Sequence, residues 1–246
     1  MLEFKNVTKS FGEIVALKNL SFKVNDGEFI FISGPSGAGK TTLLRLILRE
    51  ILPDEGEIVI DERDITKISR SDVPRLRQNI GTVFQDFKVL PERTVRENIE
   101  VALAVINLPQ KEWNARVDHV LDLVGLSSRA DLFPSQLSGG ELQRVSMARA
   151  LVVNPKIVLA DEPTGNLDWD TAEKIMELFD KINKEGKTIL MATHHKLIIS
   201  KFKKRVIELK EGEVKLSENE EQKTIEEVTF NVSDKDKKDK KKSKKD

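Results

Sequence analysis

The chain has 246 residues, 39% hydrophobic and 33% charged, enough to bury one substantial core and still solvate its surface. Its 41 basic and 41 acidic side chains cancel, so no global charge draws it to nucleic acid, and the absence of cysteine excludes a disulfide framework or a thiolate metal site. No apolar run approaches the ~18 residues of a membrane span, and the start, MLEFKNVTKSFGE, lacks the basic-then-apolar pattern of a secretory signal, so work at a membrane requires a second polypeptide.

The segments LEFKNVTKSF and LKNLSFKV predict short strands, and Asp26-Gly27 marks a turn before the buried-strand run Phe29–Ser33. A glycine-rich loop follows. TTLLRLILRE then carries apolar residues on more than one face, as a mostly buried helix does. EGEIVIDERDI predicts a strand pair, residues of about 95–125 carry helical periodicity, and Ser138 to Val153 predicts a capped helix after Pro134. The strand KIVLADE, a helix from Trp169 to Glu185, the strand TILMATH and a hairpin around Glu211-Gly212 complete the series. Strands alternating with helices argue for a mainly parallel sheet with crossover helices. The helical stretch 86–155 interrupts that alternation and is expected to form an inserted lobe between 1–85 and 156–217. Beyond it, 218–246 is expected to be a disordered tail. Its last fourteen residues, SDKDKKDKKKSKKD, hold eight Lys and four Asp and nothing apolar. A solubilising tail is the first reading there, with weak attraction to anionic lipid or RNA the second.

Gly34-Pro35-Ser36-Gly37-Ala38-Gly39-Lys40-Thr41 matches G-x-x-x-x-G-K-[ST] in full, between a strand and a helix that continues with Thr42. Glycines let successive N–H groups converge on phosphate, and the helix start adds its positive dipole end. Lys40 is expected to reach the β- and γ-phosphates of a nucleotide, and the Thr41 hydroxyl to bind Mg²⁺. IVLADEP at 157–163 is an apolar strand ending in two acids. A carboxylate at that edge suits Mg²⁺, a role given to Asp161, and Glu162 would polarise the attacking water. Alone, the acid pair reads equally well as a solvated turn before Pro163. Leu137-Ser138-Gly139-Gly140-Glu141 introduces the helix LQRVSMARAL, where Ser138 is a cap candidate and the glycines bare a second anion-binding helix start.

The set GPSGAGKT, Gln85, LSGGE, VLADEP and His194 resembles the nucleotide-binding domains of the ATP-binding-cassette family, from residue 2 to about 215. The resemblance implies an α/β fold: a P-loop NTPase core with an antiparallel β subdomain and an inserted helical subdomain. It implies ATP and Mg²⁺ as ligands, and a head-to-tail homodimer with ATP between one subunit's phosphate loop and the other's signature, Ser138–Glu141. By position it implies that Phe11 stacks on adenine where the family usually has Tyr. Gln85 touches Mg²⁺ and senses a membrane partner, and Asn166-Leu167-Asp168 crosses the dimer interface. His194 binds the γ-phosphate and positions Glu162. Glu141 stands where Gln is commoner, and His195 where Asp is frequent.

ADEPTGNLD resembles the branch holding macrolide and lipoprotein exporters and the cell-division ATPases of FtsE type. LRLILRE at 44–50 and VFQDFKVLPERTVRENI at 83–99 are most similar to the FtsE type, and Leu142 and the tail less so. That resemblance implies an FtsX-like integral membrane partner, met by the surface bordering Asp86 to Asn98. It also implies control of peptidoglycan hydrolases during division, at the cytoplasmic face of the cell membrane. An exporter ATPase is the alternative within the branch. A soluble ATPase of DNA repair or translation is the alternative outside it, disfavoured by the single cassette and the short spacing between Lys40 and Leu137. A non-hydrolysing ATP-gated scaffold is disfavoured because every catalytic group is present.

Overall fold

The computed structural model describes residues 1–215; the charged segment expected to be disordered, 218–246, lies outside them. β1 (Leu2–Phe11) and β2 (Ile14–Val24) form an antiparallel hairpin. β4 (Glu55–Ile60) pairs with the other side of β1, and β5 (Arg63–Asp64) with β4, giving a four-stranded sheet. Along β1, Leu2 and Phe4 point inward, and so does Val7, out of step with strict alternation. The cause is a bulge: the register shifts between Phe4 and Val7, and Asn6 adopts a left-handed φ of 50°.

The second sheet has the order β10-β9-β3-β8-β7-β6. β3 (Phe29–Ser33), β6 (Ile80–Phe84), β7 (Ile157–Asp161), β8 (Thr188–Ala192) and β9 (Arg205–Lys210) run parallel, and β10 (Glu213–Lys215) turns back on β9. The near-continuous apolar runs of the central strands β3, β7 and β8 follow from burial on both faces. Phe29 and Phe31 enter one core cluster while Ile30 and Ile32 enter the other. Val158 and Ala160 against Ile157 and Leu159 divide the same way.

Among the described residues seven α-helices connect the strands: α1 (Lys40–Ile47), α2 (Val73–Gln78), α3 (Val95–Val105), α4 (Trp113–Leu123), α5 (Gly139–Leu151), α6 (Trp169–Lys184) and α7 (Lys196–Phe202). α1 lies between the two sheets' apolar faces, burying Leu43, Leu44, Leu46 and Ile47 with Leu2, Phe4 and Leu17. Each such aliphatic side chain contributes about 1.5–3 kcal/mol on full burial. α3, α4, α5 and α6 pack on the opposite face of the parallel sheet, where Val95, Ile99, Val117, Val145 and Phe179 share one cluster with Phe29 and Phe31. The stretch of helical periodicity at 95–125 is two helices, because Asn107 turns left-handed (φ 53°) and Pro109 follows. Trp113 closes that corner by donating from Nε1 to the Leu108 carbonyl at 2.9 Å. No helix among the described residues is long and apolar enough to cross a membrane.

Candidate functional site

The carboxyl ends of the parallel strands converge on the start of α1. Gly39 caps that helix at φ 100°, and a β-carbon there would come within 2.5 Å of the Ala16 carbonyl oxygen. Only glycine satisfies both the dihedral and the close approach. The next residue, Lys40, is 8% exposed. Its Nζ donates to the carbonyls of Gly34 at 2.8 Å and Pro35 at 3.1 Å, and lies 3.8 Å from Glu162 Oε1. A buried ammonium held by carbonyls and a loose carboxylate contact is poised to exchange them for an incoming anion.

The Thr41 hydroxyl donates to Asp161 Oδ2 at 3.1 Å across the junction of α1 and β7. Burial, seconded by the Glu162 charge, raises the Asp161 carboxyl above its ordinary range against the pull of Thr41 and Lys40. The expected strand KIVLADE ends at Asp161 because Glu162 turns left-handed, φ 47°, unusual for a non-glycine residue. Its N–H is tied to the Ala192 carbonyl at 2.9 Å, which fixes the carboxylate between two strand ends. There Glu162 Oε1 meets His194 Nδ1 at 2.7 Å, and Oε2 accepts from the His194 N–H at 3.4 Å. Gln85 leaves the end of β6, and its Nε2 donates to Asn166 Oδ1 at 3.1 Å, while Asn166 Nδ2 returns a bond to the Gln85 carbonyl.

These groups line one open cleft of about 800 Å³. Among the expected residues, Ser36, Gly37, Ala38, Gly39, Lys40, Thr41, Thr42, Gln85, Asp161, Glu162 and His194 face it. Gly34 and Pro35 reach it through the carbonyls that hold Lys40. Phe11 is not on its wall: the ring sits 44% exposed at the end of β1, with Lys9 Nζ 5.5 Å from its centroid. Arg45, Glu50, Thr82, Asp86 and Lys88 do line the cleft and were not assigned to it from the sequence. Arg45 could have been, since it follows Thr41 by one helical turn on the same exposed face of α1.

Ser138 to Glu141 and Asp168 also lie off the cleft wall. Ser138 caps α5, its Oγ accepting from the Glu141 N–H at 3.3 Å. Glu141 Oε2 accepts in return from the Ser138 N–H at 2.9 Å and Oγ at 2.8 Å, a complete capping box. The Ser138 N–H and hydroxyl, with Arg129 beside them, hold the Glu141 carboxyl below its ordinary range. Asp168 caps α6, accepting from the Thr171 N–H at 3.0 Å. The chain therefore gathers Lys40, Thr41, Asp161, Glu162 and His194 in one place and leaves the capped, glycine-bearing start of α5 outside it.

The profile of the ABC transporter family matches residues 17–165. The chain belongs to the ABC transporter family. It is an ATP-binding and ATP-hydrolysing cassette of that family. The cell division ATP-binding protein FtsE of Bacillus subtilis is 48% identical over 213 residues, 86% of this chain and 93% of that protein. Its Escherichia coli counterpart is 44% identical over 86% of this chain and 96% of its own length. The cassette's fold matches an ATP-binding cassette solved as a dimer in a post-hydrolysis state with ADP and Pi, at a TM-score of 0.78 and 41% identity over 88% of this chain and 97% of that one. These relatives favour the cell-division type over the exporter and soluble alternatives.

Proposed function

We propose that this cassette is the ATPase subunit of a cell-division complex, acting as a homodimer with an FtsX-like integral membrane protein at the cytoplasmic face of the membrane, at the division site, to control peptidoglycan hydrolases. The observation that carries the reading is the meeting of Lys40, Glu162 and His194 in the cleft that Thr41 and Asp161 also face. The relatives named for cell division and the cassette solved as a dimer support it.

In this reading the loop 34–42 wraps the phosphates, and Lys40 gives up the Gly34 and Pro35 carbonyls for the β- and γ-oxygens. Thr41, Asp161 and Gln85 would hold Mg²⁺; the hydroxyl and carboxylate already lie side by side, a hard oxygen donor set that suits the ion. Bound there, Mg²⁺ would neutralise phosphate charge. Glu162 accepts a proton from the attacking water, and His194 fixes the carboxylate and faces the γ-phosphate. Phe11 stacks on adenine. Ser138, Gly139, Gly140, Glu141 and Asp168 serve the nucleotide of the partner subunit, which their position off the cleft favours. Residues 1–85 and 156–217, the last two of which lie outside the described residues, would be the core and β subdomain, and 86–155 the helical subdomain.

Glu162→Gln tests the chemistry: the variant should bind ATP, accumulate as an ATP-bound dimer on size exclusion, and lose at least about a hundredfold in turnover. Normal turnover would remove Glu162 as the base. For the partner, affinity capture from membranes should recover a protein with few spans and a large extracytoplasmic loop. Recovery of a many-span permease with a substrate cavity would point to export instead.

A further inference from the structure

The loop that carries Gln85 is held from one side by α5, the helix that begins at the signature. Gln143 of α5, fully buried, donates from Nε2 to the Phe84 carbonyl at 3.3 Å. Arg149, six residues further on, donates from Nη1 to the Lys88 carbonyl at 2.6 Å and from Nη2 to the Phe87 carbonyl at 3.1 Å. Phe87 and Lys88 are consecutive non-glycine residues in the left-handed region, at φ 57° and 52°. A non-glycine residue there is strained, and a consecutive pair persists only where its surroundings hold it. The planar fork of the guanidinium suits two adjacent carbonyls in a way that a point-charge ammonium does not. At the other end of the helix the Phe87 ring rests near Gly139, where a β-carbon would be 3.9 Å from Cζ. Gln85 is thus bracketed by three main-chain carbonyls that α5 side chains grip.

We infer that Arg149 is a positioning residue for ATP hydrolysis, locking the loop after Gln85 to the signature helix so that the Gln85 amide is set in the cleft. It does not line the cleft and touches no reacting group. The inference rests on the proposed role of Gln85. It assigns to one half-buried side chain, in the last turn of the helix that begins at the signature, the link between α5 and the loop that carries Gln85 into the cleft.

The test compares kcat and KM for Mg-ATP in the full chain with Arg149→Met, Arg149→Lys, Gln85→Ala and the Arg149→Met/Gln85→Ala double variant. Hydrogen exchange of residues 84–89 is followed alongside. Arg149→Met should lower kcat about tenfold with KM for ATP within about twofold, because the phosphate loop is untouched. Exchange should rise in 84–89 while the core strands stay protected. Arg149→Lys should recover part of the loss, and the double variant should be no slower than Gln85→Ala alone. A wild-type kcat for Arg149→Met beside a slow Gln85→Ala, or losses that multiply in the double variant, would overturn the inference. A raised KM matching the lost kcat would overturn it too, since that is a fault in ATP binding. An unaffected Gln85→Ala would instead overturn the reading of the cleft, and the inference with it. Should Arg149→Met fold poorly, the exchange and kcat of Arg149→Lys decide: unchanged in both, they refute the link.

Discussion

A β-carbon placed on Gly140 would stand 2.4 Å from the γ-methyl of Thr171, so the start of α5 packs directly on the first turn of α6. The glycine is required here by a neighbour in the same chain, apart from any ligand. Gly140→Ala should therefore overpack this contact and destabilise the chain by about 1–3 kcal/mol in denaturant unfolding. Thr171→Ser removes the offending methyl and keeps the N–H that Asp168 caps. The double variant should be more stable than Gly140→Ala alone, a coupling that a double-mutant cycle measures. Strict additivity would show that the crowding lies elsewhere.

Asn98 holds the segment before α3 in place. It is wholly buried, and its amide donates to the carbonyls of Leu90, Arg93 and Thr94 while its Oδ1 accepts the Leu90 N–H at 2.7 Å. Asn98→Leu keeps the volume but leaves Leu90 without its partners. The expected cost is about 2–4 kcal/mol, from unsatisfied main-chain groups. Exchange protection at Leu90 should fall first. Unfolding within 0.5 kcal/mol of wild type would mean that the segment 90–94 needs no such anchor.

The phosphate loop, the acid pair and the capped start of α5 were legible in the sequence because each is contiguous and its chemistry is local. α2, β6 and α7 were not anticipated. VPRLRQ and KLIISKF span too few residues to establish a helical period, and IGTVF has the same pattern as a buried helix fragment. The inward position of Val7 depends on a bulge at Asn6 that no propensity marks. Contacts between distant residues were invisible for a different reason. Gln85 with Asn166, and Arg149 with the Phe87 and Lys88 carbonyls, join elements far apart in the chain, and no local pattern encodes a partner at such separation.

Asp161 makes the nucleotide-free chain sensitive to pH. Burial raises its carboxyl above the ordinary range, so between that range and the raised value the folded chain binds a proton that the unfolded chain has lost. Stability must then fall as pH rises through that window. Asp161→Asn keeps an acceptor for the Thr41 hydroxyl and removes the charge. Without nucleotide the variant should melt above wild type at neutral pH, with the gap closing as the solution is acidified. Mg-ATP should reverse the order, raising the melting temperature of wild type far more than that of the variant. A gap that stays constant between about pH 4 and 8 would separate Asp161 from the effect.

Glu141 closes the start of α5 with its own carboxylate, in a helix start proposed to receive the γ-phosphate held by a second subunit. Within one chain the arrangement is favourable: the carboxylate satisfies the Ser138 N–H and hydroxyl and sits at the positive end of the helix dipole. Across a dimer it places negative charge where a phosphate must approach. At about 4 Å in water two unit charges repel by about 1 kcal/mol. Glu141→Gln preserves both bonds of the capping box and loses the charge, so the chain's own stability should drop by no more than about 0.5 kcal/mol while ATP-dependent dimerisation tightens a few-fold. The Arg129 contact at 3.3 Å is partly exposed and adds little to the balance. Sedimentation of Glu162→Gln with and without Glu141→Gln, at fixed ATP, isolates the dimer step from turnover. Equal dimer dissociation constants would show that Glu141 turns away from the phosphate when the subunits meet, and a weaker dimer would show that its charge is used there.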